Sequence, residues 1–473
     1  MRRGGDAVSR RAFIAGSAAF AAAGCRTSGW FGEPDLRFGV ISDTHVTVPS
    51  TTALMEKAFA WFRKRGADAV MIPGDLTDWG LKSSLGYVAD AWKRHFGGTG
   101  VVPLFCTGNH EYRGWAYGDM TLDMHAHGYS EDEHLTLLGM GKCWQETFGE
   151  EFAPVRVRTV KGYDFISGEW QGYKELPAWM AANGERFRGA KPFFYFQHPP
   201  MKGTTSDATG NADSGAGFAA LRDFPNAIAF TGHTHRPFTD ERSIWQGEFT
   251  AIAVPSLSYA CFPPGHENAG RDPGATMPEL PARRDLRGGQ GYFVTVWRDR
   301  VVVERIDIEE GCIETAPAWT IPVGTSERPY ELARRTAESS APEFPAGAMV
   351  ETETRNTHNR SGNWAIAMNC EFPAAVAAKG ERVYDYEIKA VPEDGSKPLV
   401  KRFLSPAYHY GPHREPKRMR FWFNAAELPQ CVGYVLEVRA YNCFGKASQP
   451  LRSRVWKSEP GLDEPKSYPE EKS

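Results

Sequence analysis

The stretch Asn226-Ala-Ile-Ala-Phe-Thr-Gly-His-Thr-His-Arg236 decides how this chain is read. A short apolar run ends at Thr231, and a glycine and two histidines one residue apart follow at once. A short apolar run bounded by turn residues reads as a buried strand. Four other places repeat the pattern. Arg37–Ser42 leads into Asp43-Thr-His45, and Ala69–Pro73 into Gly74-Asp75-Leu-Thr-Asp78. Val101–Thr107 leads into Gly108-Asn-His-Glu111, and the run Pro192–Gln197 into His198-Pro-Pro200. Helical patterns stand between them. Leu54, Met55, Ala58, Phe59 and Phe62 fall on one face of a helix over Thr51–Arg65, and a second helix spans Ser84–Phe96. Alternating strands and helices mean an α/β core with buried strands. Functional groups in such sheets gather beyond the carboxyl ends of the strands, so all five motifs can meet at one edge.

Their chemistry is coherent. Asp43 and Asp75 bring carboxylates, Asn109 an amide oxygen, and His45, His198, His233 and His235 imidazole nitrogens. A mixed nitrogen and oxygen set without thiolate suits two divalent ions of the Zn, Fe or Mn type. One carboxylate between two ions can bridge them. Gly74, Gly108 and Gly232 each precede a candidate ligand, where glycine permits a tight turn. Taken singly, Asp-x-His, Gly-Asp and His-Pro are ordinary surface or turn chemistry. The signal lies in five of them in order, each at a strand end. The pair His125 and His127 lacks that context and reads as surface or lid.

The chain has 473 residues, enough for two or three domains, with 41% hydrophobic and 24% charged residues. A net charge of −3 without a basic stripe argues against duplex nucleic acid as a partner. The α/β pattern runs over residues 36–311. It adds a strand at Phe249–Val254 and a hairpin, Tyr292–Trp297 with Val301–Ile306, placed at the sheet edge. Residues 112–160 read as a long insertion, and substrate selectivity is expected in it and in the loop 201–218. Residues 326–342 read as a linker. Residues 343–456 hold short strand-like runs separated by turns, the pattern of an all-β sandwich. Residues 457–473 are charged and Pro-bearing and read as a disordered tail.

Residues 1–25 read as an export signal. Arg10 and Arg11 stand before Phe13 and an Ala-rich run too short to span a bilayer. The order resembles a twin-arginine signal, with an ordinary Sec signal as the alternative. Ala22-Ala-Gly-Cys25 resembles a lipobox, although Ala22 stands where Leu is usual. Cys25 is then lipidated and holds the protein to a membrane; otherwise cleavage near the Ala run leaves it unmodified. Either way the protein is expected in the periplasm or at the cell surface. There are eight cysteines, none in C-x-x-C spacing, and no disulfide is demanded. The oligomeric state is not legible.

The ordered motif set resembles the calcineurin-like metallophosphoesterase superfamily over residues 36–311. Within it, the set is most similar to the class III cyclic-nucleotide phosphodiesterases. The resemblance implies a sandwich of two mixed β-sheets flanked by helices. It implies that Asp43, His45 and His235 bind one ion, that Asn109, His198 and His233 bind the other, and that Asp75 bridges. It places His110 near the leaving group. Asp78 and Glu111 are expected behind the ligands, fixing their tautomers. Asp78 stands where purple acid phosphatases carry Tyr, which disfavours a charge-transfer ferric site. Gly433–Asn442, with Gly445 and Ser448, resembles the last strand pair of a fibronectin type III domain, here C-terminal rather than N-terminal. The implied activity is hydrolysis of a small phosphomonoester or phosphodiester by a hydroxide shared between the ions. The alternative is a surface-anchored binding protein on an inert scaffold of the same fold.

Overall fold

The computed structural model describes residues 32–115, 137–205, 212–261, 265–267, 288–358, 364–378, 381–406, 416–424, 427–428 and 432–457. The export signal 1–25, the pair His125 and His127, much of the 112–160 insertion, the middle of the 201–218 loop and the tail beyond Lys457 lie outside the described residues.

Two six-stranded mixed sheets face each other. The first contains β1 (Leu36–Val40), β2 (Ala69–Pro73), β3 (Val102–Cys106), β10 (Gln290–Val296), β11 (Arg300–Asp307) and β12 (Ile313–Pro322). Its order is β12-β11-β10-β1-β2-β3, with β1, β2 and β3 parallel. The second contains β4 (Val155–Val160), β5 (Tyr163–Gly168), β6 (Phe193–Gln197), β7 (Ala227–Thr231), β8 (Ile244–Gln246) and β9 (Thr250–Ala253). Its order is β4-β5-β6-β7-β9-β8, with β5, β6, β7 and β9 parallel. This is the expected sandwich of two mixed sheets.

The runs are continuously apolar because the parallel strands are buried on both faces. Between the sheets, Phe38 meets the rings of Phe165, Phe194 and Phe230 edge-on at 5.0–6.0 Å. The outer faces are covered by helices. Ala53–Lys64 and Lys82–Phe96 pack Met55, Phe59, Phe62 and Val88 on the first sheet. Leu176–Asn183 and Ala216–Leu221 cover the second. With both faces closed, chemistry is left to the strand ends.

Three expectations change. The hairpin β10–β11 forms, but β12 pairs outside it, so the sheet runs past residue 311 and its edge lies elsewhere. Pro317 disguised β12 in the sequence; it sits at a register irregularity of this edge strand, where a missing N–H costs nothing. Part of the 112–160 insertion is regular core. The helix Leu137–Phe148 buries Met140, Cys143 and Trp144, and β4 closes the edge of the second sheet. Residues 326–342 are not a loose linker either. Gln246 N donates to Tyr330 O, Tyr330 N donates to the Gln246 side-chain oxygen Oε1, and Arg335, on the short helix Leu332–Glu338, pairs with Glu241, which also holds the buried Arg305.

The C-terminal region forms two further sheets over one apolar core. Glu351–His358, Trp364–Pro373 and Arg418–Asn424 make the first, and Val383–Pro392, Leu399–Leu404 and Gly433–Asn442 carry the second. Among the described residues no helix is long and apolar enough to cross a membrane.

The two arginines of the helix Leu332–Glu338 separate a buried pair from an exposed one. Arg335 and Glu241 are each about seven-eighths buried, whereas Arg334 and Glu338 are each more than half exposed. Arg335→Ala is expected to destabilise the protein by about 2 kcal/mol, since it strips one partner from a buried carboxylate. Arg334→Ala should cost under about 0.5 kcal/mol. Urea midpoints of the two variants check the contrast.

Candidate metal centre

All five motifs meet where the two sheets touch. A parallel bridge between Ser42 and Ser256 joins the sheets directly beneath Asp43. Past β1 the chain stays beside the chain past β2: Asp43 N donates to Gly74 O, His45 N to Asp75 O, and Val46 N to Leu76 O. Ser258 N donates to Asp43 O, and Cys261 N to His235 O.

This backbone is held in a costly shape. Eight described non-glycine residues have positive φ, and five of them are candidate ligands: Asp43 (51°), His45 (45°), Asp75 (49°), His233 (73°) and His235 (51°). Left-handed backbone costs an L-residue roughly 1–2 kcal/mol, and it persists only where the surroundings over-determine it. Here the loop-to-loop hydrogen bonds do so. The strain turns each side chain back toward a common point.

The side chains form two groups that share Asp75. Asp43, His45, Asp75 and His235 make one; Asp75, His198 and His233 make the other. In the first, His235 Nε2 lies 3.0 Å from Asp43 Oδ1 and 3.2 Å from His45 Nε2. In the second, His198 Nε2 lies 3.1 Å from Asp75 Oδ2 and 3.2 Å from His233 Nδ1. The far nitrogens are fixed from behind. His235 Nδ1 donates to Tyr259 O (2.8 Å), His198 Nδ1 to Pro73 O (2.9 Å), and His45 Nδ1 to Asp78 Oδ1 (3.1 Å). A carbonyl or carboxylate can only accept, so in the neutral rings the lone pair sits on Nε2.

These residues fit a cation. Two imidazole lone pairs facing each other at 3.2 Å repel unless positive charge lies between them. That spacing is what two ligands ~2.0–2.1 Å from one ion give. Asn109 Oδ1 is buried and has no hydrogen-bond partner. A buried carbonyl oxygen without a donor is costly unless something else satisfies it. The field points the same way. Burial opposes ionisation of Asp43, but His235 and His198 outweigh it and hold the carboxyl well below the usual range. Asp75 is likewise lowered to about 2 against burial, by His198 and His45. Burial also opposes a charge on His198, yet Asp75 and Asp43 push it up to about 9. His233 is lowered to about 4 by burial and by His198.

His110 stands beside the first group, its ring 4.4 Å from that of His45. Its backbone N–H donates to Asp75 Oδ1 (2.9 Å) and its Nδ1 to Asp78 O (2.8 Å). Asp78 thus orients both His45 and His110. Glu111 acts differently from expectation. It accepts from Thr77 N, Thr77 Oγ1 and Gly108 N, clamping the β2 and β3 loops together rather than fixing a ligand tautomer. Burial, then Asp75, raise it to about 7.

The three glycines are needed, though mostly for room. Only Gly74 has positive φ (91°). A Cβ on Gly108 would lie 2.2 Å from Asp75 Oδ1, and one on Gly232 2.6 Å from Asp43 Oδ2. Sequence reasoning missed Glu169, Trp170 and Tyr259. Trp170 lies 6.1 and 6.0 Å, ring to ring, from His198 and His233; Tyr259 lies 5.2 and 4.2 Å from His45 and His235. Both lie in loops that follow parallel strands, β5 and β9, but an aromatic residue there carries no metal-ligand chemistry to mark it.

Residues 36–237 match the model of the calcineurin-like phosphoesterase family. This stretch is a calcineurin-like phosphoesterase domain, with a candidate dinuclear site of Asp and His residues. No curated protein matches the chain. Similar solved structures include a dimetal phosphatase from Danio rerio, with TM-score 0.37 and 12% identity over 61% of this chain and 99% of that one. GAP50, the anchor in the inner membrane complex of Plasmodium, aligns with TM-score 0.36 and 11% identity over 62% and 90%. A conserved protein of Streptococcus pneumoniae, described as a predicted phosphoesterase, aligns with TM-score 0.30 and 13% identity over 61% and 97%.

The contact at Gly232 gives a direct test of the crowding. Gly232→Ala should displace the Asp43 carboxylate and weaken Mn²⁺ binding at least tenfold by isothermal titration. Gly86→Ala, at a helical glycine with open space around its Cβ position, should leave binding unchanged.

Proposed function

We propose that this protein is an exported, dinuclear metal-dependent phosphoesterase. The observation that carries the reading is the convergence of metal-binding atoms on a shared carboxylate: close pairs of imidazole nitrogens on each side of Asp75, and the buried Asn109 Oδ1, which has no hydrogen-bond partner. Asp43, His45 and His235 would hold one ion, Asn109, His198 and His233 the other, with Asp75 between them. Bound there, two divalent ions of the Mn, Fe or Zn type supply Lewis acidity toward phosphoryl oxygens and a water of lowered pKa.

The remaining work falls to the chain itself. Asp78 holds the rings of His45 and His110 in fixed orientations. The Glu111 clamp keeps the β2 and β3 loops, and so Asp75 and Asn109, in register. His110 has Nδ1 committed to Asp78, so Nε2 is the atom through which it would pass a proton to a departing oxygen. The substrate is a small phosphate ester. For the C-terminal region the reading is a fibronectin type III-like accessory domain, supported by its two sheets of three and five strands over one apolar core. Export by the twin-arginine route, with Cys25 lipidated, is supported by Arg10-Arg11-Ala-Phe13 and the small residues before the cysteine.

His110→Ala is expected to lower kcat for alkyl phosphate esters by ~10²–10⁴ and to leave bound metal unchanged. The loss should shrink for 4-nitrophenyl esters, whose leaving group needs no proton. Equal losses on both would assign His110 to holding the phosphate instead.

A further inference from the structure

Two aromatic rings stand at opposite ends of the metal centre. Tyr259 lies against His45 and His235, the histidines of the first group. Trp170 lies against His198 and His233, the histidines of the second. Both residues are half-buried, unlike the aromatic core behind them. Neither the Tyr259 hydroxyl nor the Trp170 indole N–H has a hydrogen-bond partner among the described residues. A tyrosine or tryptophan placed only to fill a core usually secures its polar tip.

Both are also held rigidly by backbone contacts that do not involve the ring. Tyr259 N donates to Ser256 Oγ (3.2 Å), and Tyr259 O accepts from His235 Nδ1 (2.8 Å). Trp170 N donates to Thr107 Oγ1 (3.0 Å), and its neighbour Glu169 is locked by Thr107 and Arg156. The positions are therefore set by the loops, and the rings are surplus to the ligand scaffold.

We propose that Tyr259 and Trp170 are specificity-determining platforms, and that the substrate is a phosphodiester with a flat ring system on each arm. The proposal rests on the phosphoesterase reading and adds the shape of the substrate to it. A phosphoryl group spanning the two ligand groups has one ester arm directed toward each end. His110 shares the His45 side with Tyr259, so the arm on Tyr259 is the one that leaves. Water adds its oxygen to phosphorus, the P–O bond to that arm breaks, and the proton lost by the water ends on the departing oxygen. The products are a free alcohol or phenol and a monoester still resting on Trp170. Flat rings stack on aromatic side chains with little regard to their substituents, so the platforms select planarity rather than one compound.

The test compares diesters that differ only in the retained arm. The full-length metal-loaded protein is assayed with bis(4-nitrophenyl) phosphate and with ethyl 4-nitrophenyl phosphate. Trp170→Ala should raise KM for the bis-aryl ester about tenfold, with the ethyl ester moved less than about twofold. Tyr259→Ala should raise KM about tenfold for both, since both lose a nitrophenyl arm. Trp170→Phe and Tyr259→Phe should restore wild-type values, and bound metal should be the same in all variants. If an alanine variant does not fold, the leucine variant, apolar but without a flat ring, makes the same comparison. Trp170→Ala acting equally on both esters, or on neither, overturns the platforms. So does loss of metal in the variants, which would make the rings part of the ligand scaffold. A metal-loaded wild-type protein inactive on every ester would instead overturn the phosphoesterase reading, and it shows before any substitution is made.

Discussion

One buried carboxylate organises the site. Asp75 lies between two sets of imidazoles, 3.1 Å from His198 Nε2 and 3.8 Å from His45 Nε2, and also accepts the backbone N–H of His110. Removing a carboxylate from water is expensive unless opposite charge compensates it. The surrounding rings supply only part of that charge, because their outer nitrogens are engaged with carbonyls and carboxylates. A cation held by the candidate site would complete it. The loops that hold Asp75, Asp43 and the histidines keep these groups within reach of one another, as a cation site would require.

That closeness has a cost in the backbone and a source elsewhere in the fold. Five candidate ligands in left-handed conformations store strain at the strand ends, and glycines with candidate-ligand atoms 2.2–2.6 Å from where a Cβ would sit leave the room that this crowding needs. The two sheets, packed through Phe38 and its ring partners and sealed by helices on both outer faces, are rigid enough to bear it. Below them, the Glu241, Arg305 and Arg335 cluster ties the short helix after β12 to the same body. Strain at the centre is thus offset by ordinary packing some distance away.

The candidate ligands were legible because metal chemistry admits few residue types and α/β sheets bring groups to one edge. Asp43, His45, Asp75, Asn109, His198, His233 and His235 stood out on both counts. Trp170 and Tyr259 did not, because an aromatic residue in a loop has many ordinary explanations and only its neighbours give it meaning. Among the strands, the buried parallel ones announced themselves as short apolar runs. β4 alternates apolar and charged residues as an edge strand should, but its place after a long insertion concealed it. β12 was hidden by its prolines, and Glu111 by chemistry that suits a ligand neighbour and a loop clamp equally well. The side chain alone did not say which.

If the two groups meeting at Asp75 each hold one ion, the ions will be visible directly. The most direct measurement is an anomalous difference map from crystals soaked in Mn²⁺. Two peaks are expected, one against Asp43, His45 and His235, the other against Asn109, His198 and His233, with Asp75 touching both. A single peak, or peaks that leave Asp75 without a metal neighbour, would contradict the account.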